Sequence, residues 1–443
     1  MITFDDALDT AMACVRKWNQ NAAVAEVTLI RDVYGKVTLL INNTISMDDS
    51  GKNSLISILN SDMGAYFSGR VYWKKLSNSQ KKMEEREKVI IDLIECERIF
   101  WKEDGNIPYY LSERAIAKKA WIYRWKKAEA VWPYEEAING TKVITFYSFK
   151  GGMGRTTALA GIALSLVRQG KNVMMVDTDI EAPGLATLFL DEEAITKGVL
   201  DYLIEHEINP GIHLADFVCD IAEPSLLEED EGRLFLMAAG KVDENYLQKL
   251  ARIDYQDNRD GYLRDAMKEL LLAIRNNYDV DYILVDARAG FHDMGGIAVT
   301  QIPHGVVLFG NDSRQSWDGI TQVLRTIAEG HEEDFPVMIV NTMCPKPTAN
   351  DFASSRQRFI SKAHTVCVEN YYDESSKIPG IEAEGEVHFP ELIPFHDELL
   401  RGIELYSDES PEKRQRVSAY KSILIGESYR KIAERIDKWF GVE

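Results

Sequence analysis

The chain has 443 residues, 45% of them hydrophobic, and a net charge of −20, so it can bury a core large enough for about two domains. It has no run of about 18 apolar residues, and its opening MITFDDALDT lacks the basic and apolar regions of a secretory signal, so a cytoplasmic protein is expected and a membrane-spanning one is not. Five scattered cysteines (Cys14, Cys96, Cys219, Cys344, Cys367) without a C-x-x-C pair fit buried or free thiols in a reducing compartment and indicate neither a disulfide framework nor a zinc site.

In chain order, DDALDTAMACVRKW reads as a helix. VAEVTLIRDVYG and KVTLLINN read as two strands joined by a hairpin at Tyr34 and Gly35. A helical SLISILNSDMGAYF, a short strand GRVYW and a charged helix NSQKKMEEREKVIIDLIECER come next. Residues 1–135 are therefore expected to form a small α+β domain, accessory to the rest or recognising a partner. Residues 1–140 hold 20 Lys/Arg and 20 Asp/Glu, so the acidic excess falls wholly in the remainder. That acidic part repels phosphate backbones and argues against nonspecific nucleic-acid binding. KKAWIYRWKK interleaves basic and aromatic residues, a pattern that can stack on single strands. On a helix, however, Ala117, Trp121, Trp125, Ala128 and Trp132 share one face, which reads as a packed connector. WPYEEAINGTK then leads into the second domain, with Pro133 ending the helix and Asn139-Gly140 turning the chain.

Residues 136–443 alternate strands with helices. KVITFYSF, KNVMMVDTD, RLFLMAAG, DYILVDARA, GVVLFGN, FPVMIVNTM and HFPELIPF are the strand candidates. The fold class expected is α/β, a doubly wound and mostly parallel sheet preceded by the smaller α+β domain. Such sheets bind ligands outside the carboxyl ends of their strands. There the first strand runs into Lys150-Gly151-Gly152-Met153-Gly154-Arg155-Thr156-Thr157 and a helix. Glycines let backbone N–H groups wrap an anion, and the helix start adds partial positive charge. Thr156 is placed to offer its hydroxyl to Mg²⁺ and Thr157 to reach a phosphate. Asp177, Asp179 and Asp286 each end a strand candidate, where carboxylates can converge.

The pattern K-G-G-x-G-[KR]-[ST]-T resembles the deviant Walker A motif of the MinD/ParA group of P-loop ATPases, in the SIMIBI class. Arginine at 155, where the usual loop lysine stands, is similar to a K-G-G-x-G-R-T branch. The resemblance spans roughly residues 142–440 and implies an ATP- and magnesium-dependent hydrolase that dimerises with ATP. It implies that Lys150 reaches the partner's phosphates and that Gly151, Gly152, Gly154, Arg155, Thr156 and Thr157 cradle the nucleotide. VMMVDTDIEAPGL looks like the first switch, with Asp177 as a magnesium-shell or phosphate-sensing carboxylate and Asp179 positioning the attacking water. YILVDARAG looks like Walker B and the second switch, with Asp286 holding magnesium through water and Gly290 near the γ-phosphate. VMIVNTMCP and ELIPFHDELLRG match where relatives bind adenine, which implies Asn341 and Pro394 near the base.

The leading function is thus an ATP-driven switch with Lys150 and Asp179 as its catalytic pair, recruiting a partner through residues 1–135 in partitioning, positioning or bacterial defence. A nonhydrolysing nucleotide sensor or scaffold and an amide-ligase-type enzyme of the same fold are the alternatives. Arginine keeps the charge of the loop cation and adds a fork for two phosphate oxygens. The tail places Ile425, Tyr429, Ile432, Ile436 and Phe440 on one face but balances five basic against four acidic residues over 420–443. It is expected to pack on the domain rather than on a membrane.

Overall fold

The computed structural model describes residues 2–18, 24–44, 47–74, 85–115, 117–122, 130–209, 212–228, 232–253, 262–331, 335–372, 378–400, 402–406 and 410–441. The chain forms two compact units, Met1–Ala117 and Lys118–Glu443.

In the first unit, helix α1 (Ala7–Trp18) precedes strands β1 (Val24–Arg31) and β2 (Val37–Asn43). Helix α2 (Asp49–Met63), strand β3 (Phe67–Lys74), helix α3 (Glu85–Glu97) and strands β4 (Ile99–Asp104) and β5 (Ile107–Glu113) complete the unit. β1 and β2 pair antiparallel as the hairpin that the sequence predicts, with Leu29 opposite Leu39 and Val27 opposite Ile41. These four side chains are buried with Ala11 and Val15 of α1 and Leu55 and Leu59 of α2, so alternate strand positions and one stripe of each helix build a single small core. The Asp48 carboxylate caps α2 by accepting the Gly51 N–H. The sheet order is β3-β2-β1-β5-β4. β5 lies parallel to β1, and neither β4 nor β5 is expected from the sequence. Of the stretch expected as a charged helix, 78–84 lies outside the described residues and 85–97 is helical.

In the second unit a short helix, α4 (Lys119–Ile122), precedes the sheet. The strands are β6 (Lys142–Ser148), β7 (Val173–Asp177), β8 (Cys219–Ile221), β9 (Leu234–Met237) and β10 (Tyr282–Asp286). β11 (Gly305–Gly310), β12 (Val337–Cys344) and β13 (Glu391–Pro394) complete it. All seven runs singled out in the sequence are strands, and together with β8 they form an eight-stranded sheet in the order β13-β12-β11-β6-β10-β7-β9-β8. Every pairing is parallel except that of β8 with β9 at the edge. β6, β7, β9, β10 and β11 are buried along their whole length, as expected for strands covered on both faces. This is the α/β class, with β6 central and β10 and β11 flanking it.

The chain divides after Ala117, because the connector packs into the second unit. Trp132 is buried and donates its indole N–H to the Thr141 carbonyl at 3.0 Å, while Trp121 lies against Tyr147 of β6. Trp125 and Ala128 of the expected apolar face are outside the described residues. In the tail, Tyr429, Ile432, Ile436 and Phe440 are buried. The helix Glu427–Lys438 sits so close to the helix Arg155–Val167 that a Cβ on Gly161 would come within 2.9 Å of the Tyr429 ring. No helix among the described residues is long and apolar enough to cross a membrane.

Candidate functional site

β6 delivers the chain to the loop at Ser148, and the helix Arg155–Val167 takes it away. Between them Gly152 has φ +74° and Gly154 φ +70°, a left-handed backbone that costs other L-residues about 1–2 kcal/mol each. A Cβ on Gly151, Gly152 or Gly154 would meet nothing within 4 Å. Backbone conformation, not crowding, therefore calls for glycine at 152 and 154, and the space beside the loop is open. No side chain caps the helix after Gly154, so its first-turn N–H groups face that space, a favourable setting for an anion. Lys150 is half-buried and, among the described residues, makes no hydrogen bond or ion pair, which leaves its charge available at the front of the loop.

The carboxylates come together through sheet register. β7 and β10 are neighbours, and Asp177 pairs directly with Asp286 at their carboxyl ends. Asp286 also lies opposite Phe146 of β6, which sets it beside the loop. The Thr156 hydroxyl donates to Asp286 Oδ2 at 2.7 Å. Asp177 is fully buried and accepts the backbone N–H groups of Asp179 at 3.0 Å, Gly184 at 3.2 Å and Leu185 at 3.0 Å. Burial and the neighbouring Asp286 push its carboxyl up to about 7, against the downward pull of those three bonds. Burial raises Asp286 as well, although Arg155 and Thr156 draw it the other way.

Arg155 stands among these carboxylates. Only 8% exposed, it donates from Nε to Asp286 Oδ1 and from Nη2 to Asp179 Oδ2 at 3.4 Å. Burial works against its charge, but Asp286, Asp179 and Asp177 outweigh that and hold the guanidinium protonated more firmly than usual. Expected to grip phosphate oxygens, this fork instead bridges the two acidic groups meant for metal and water. Asp179 is held from its other side by Arg288, whose Nη1 is 3.2 Å from Oδ1. Arg288 Nη2 in turn meets Glu181 at 3.0 Å, and the other Glu181 oxygen is 2.5 Å from His292 Nε2. Burial lowers His292 more than Glu181 raises it. Glu181 and His292 have no role expected from the sequence, and their only signal is that each lies within four residues of a motif aspartate or arginine.

The remaining expected residues fall in two groups. Gly290 donates its N–H to the Ser148 carbonyl at 3.3 Å, and Thr157 occupies the first turn after the loop, so both adjoin it. Asn341 lies on β12 opposite Gly310 and Leu392, and Pro394 on β13 opposite Cys344. They sit on the flank of β6 away from β10 and β7, and among the described residues no hydrogen bond joins either of them to the loop or the carboxylates.

The family described as AAA domain matches residues 141–336. The septum site-determining protein MinD of Helicobacter pylori is 26% identical over 214 residues, covering 47% of this chain and 69% of its own length. A putative arsenical pump-driving ATPase 2 of Aquifex aeolicus is 28% identical over 157 residues, 34% of this chain and 47% of its own. The solved structure of pNOB8 ParA aligns over 67% of this chain and 99% of its own with 16% identity and a TM-score of 0.47. The chain thus spans about two thirds of the first of these relatives and about half of the second. The match over 141–336 falls on a glycine loop and two strand-end carboxylates set side by side, and this part of the chain is similar to MinD proteins.

Proposed function

We infer that the second unit binds and hydrolyses ATP as a switch, with an ATP-dependent homodimer as its assembled state and the first unit as the recruiter of a protein partner. The observation that carries this reading is the Thr156 hydroxyl bonded to Asp286 at the start of the helix after the glycine loop, with Asp177 in register beside it. These oxygen donors, one hydroxyl and two buried carboxylates, suit a hard divalent cation. Magnesium bound by Thr156, Asp177 and Asp286 would neutralise charge on the phosphates.

The other roles belong to the chain's own groups. The backbone N–H groups of 151–157 bind the phosphate oxygens, and Lys150 brings a mobile positive charge to them. Asp179 accepts a hydrogen bond from a water and orients it for attack on the terminal phosphorus. The new P–O bond forms as the bond to the bridging oxygen breaks, and ADP leaves with that electron pair. In doing this Asp179 would share its oxygens between the water and Arg155 and Arg288, which hold it now. Asn341 and Pro394 are assigned to the base.

One observation favours a second reading, nucleotide sensing without turnover: Asp179 is already engaged by two guanidinium groups. Phosphate release by the purified protein separates the two. The expected result is magnesium-dependent turnover that falls by at least about a hundredfold in Asp179→Ala, the range in which a positioned base contributes. Turnover of the parent chain no faster than that of the variant sinks the hydrolytic reading and leaves the sensor.

A further inference from the structure

The segment that enters the second unit is fastened to the loop after Asp286 and to the helix Asp293–Thr300 behind it. Lys118 donates its backbone N–H to one Asp293 oxygen, and its ammonium lies 3.0 Å from the other. It does so with φ +64°, a conformation that a lysine adopts at a cost and that these two bonds offset. Trp121 donates its indole N–H to the His292 carbonyl at 2.8 Å. Its ring packs against Phe291 at 5.3 Å and Tyr147 at 5.6 Å between centroids, and Phe291 packs in turn on Phe149 at the start of the glycine loop, at 4.8 Å. Gly296 has no room for a Cβ because the Trp121 indole nitrogen is 2.8 Å and the Ala120 Cβ 2.9 Å from where it would stand.

A continuous row of polar contacts ties this docking to the candidate catalytic carboxylate. Arg155, Asp179, Arg288, Glu181 and His292 succeed one another with alternating contacts of 3.4, 3.2, 3.0 and 2.5 Å. His292 and Asp293 are the residues that hold Trp121 and Lys118. The two Asp286 oxygens are both in use, one by Arg155 and one by Thr156. A cation bound at Asp286 would compete with Arg155 for that carboxylate, and a water at Asp179 would compete with the two arginines for its oxygens. Freed from Asp179, Arg288 loses one of the contacts that place it against Glu181 and, through Glu181, His292.

We propose that α4 and Lys118 form a nucleotide-sensitive clasp: engagement of the site loosens the 288–293 loop and undocks Lys118 and Trp121 from it. Coupling of this kind needs an element with two arrangements that both ends bias, and the clasp supplies one. The proposal rests on the nucleotide reading above and adds to it the route by which binding reaches the connector.

Hydrogen exchange on the full chain tests it, with magnesium and a nonhydrolysable ATP analogue as the probe and saturation established separately by equilibrium dialysis. The Lys118 amide, bonded to Asp293, and the Trp121 amide, bonded to the Lys118 carbonyl at 2.9 Å, should exchange about tenfold faster with the analogue bound. Linkage is reciprocal, so a chain whose clasp is weakened should bind the analogue more tightly. Trp121→Ala risks the fold, so Lys118→Ala is the variant of choice, with a dissociation constant expected about threefold lower. Bound analogue with unchanged or slower exchange overturns the clasp and leaves nucleotide binding standing, as does a Lys118→Ala affinity that is unchanged or weaker. Absence of any binding by dialysis overturns the nucleotide reading and the clasp together.

Discussion

Arg155 shows how one residue can satisfy a motif and still be used differently by the fold. Its guanidinium is the counter-charge of two buried carboxylates, Asp286 and Asp179. Arg155→Ala would leave both without it, and removing one member of a buried pair costs about 3–5 kcal/mol because the remaining charge is stranded. We therefore expect a urea midpoint lowered by an amount equivalent to about 3 kcal/mol, with Arg155→Lys intermediate, since a point charge cannot reach both partners as a planar fork does. An unchanged midpoint in Arg155→Ala would show that the pair contributes nothing to the folded state. At this scale the sequence is legible where partners are neighbours along the chain, as in Gly152, Gly154 and Thr156. It is silent on the Asp179–Arg288–Glu181–His292 row, because those contacts cross between loops about 110 residues apart and leave no local pattern.

Among the elements, the buried parallel strands are readable because each is a short apolar run bounded by turn residues. The unexpected strands are of the opposite kind. β4 is half-exposed with Lys102, Glu103 and Asp104 in its second half, and β8 has three residues at the sheet edge; both owe their existence to a neighbour rather than to their own composition. His304 illustrates a joint between elements that the sequence does not announce. It is buried at the entrance to β11, accepts the Val143 N–H of β6 on Nδ1 at 3.0 Å, and its Nε2 lies 3.1 Å from the Trp132 carbonyl. Burial lowers it from an ordinary 6.5 to about 4. The unfolded chain therefore takes up a proton that the folded one refuses. The resulting stability is fully present above pH 6.5 and is lost as pH falls from there towards 4, by about 3 kcal/mol at most. His331 is lowered to about 4 by burial in the same way. Asp177, raised towards 7, works in the opposite direction over this window, so the test is a comparison of chains: urea midpoints should fall less steeply with acidity in His304→Asn than in the parent chain. An equally steep fall in His304→Asn would mean that other groups carry it.

For the whole molecule, the division after Ala117 makes the connector part of the second unit. A fragment of residues 118–443 should fold cooperatively, whereas 136–443 loses Trp132, which is 4% exposed and bonded to Thr141. Deleting a buried tryptophan costs about 3–5 kcal/mol, so the shorter fragment should unfold at clearly lower urea, and equal midpoints would show that the connector is dispensable. Local rules along the chain suffice for the glycine loop, the strands of the main sheet and the aspartates at their ends. Those rules are left-handed backbone at Gly152 and Gly154, apolar runs for buried strands, and carboxylates where strands stop. The place of β10 between β6 and β7 is instead an outcome of tertiary folding, and it puts Asp286 against both Thr156 and Asp177. The same is true of Arg155 among the carboxylates and of Trp121 behind the loop after Asp286. Sheet order and side-chain packing are set by burial across the whole chain, and no stretch of sequence contains both halves of such a contact.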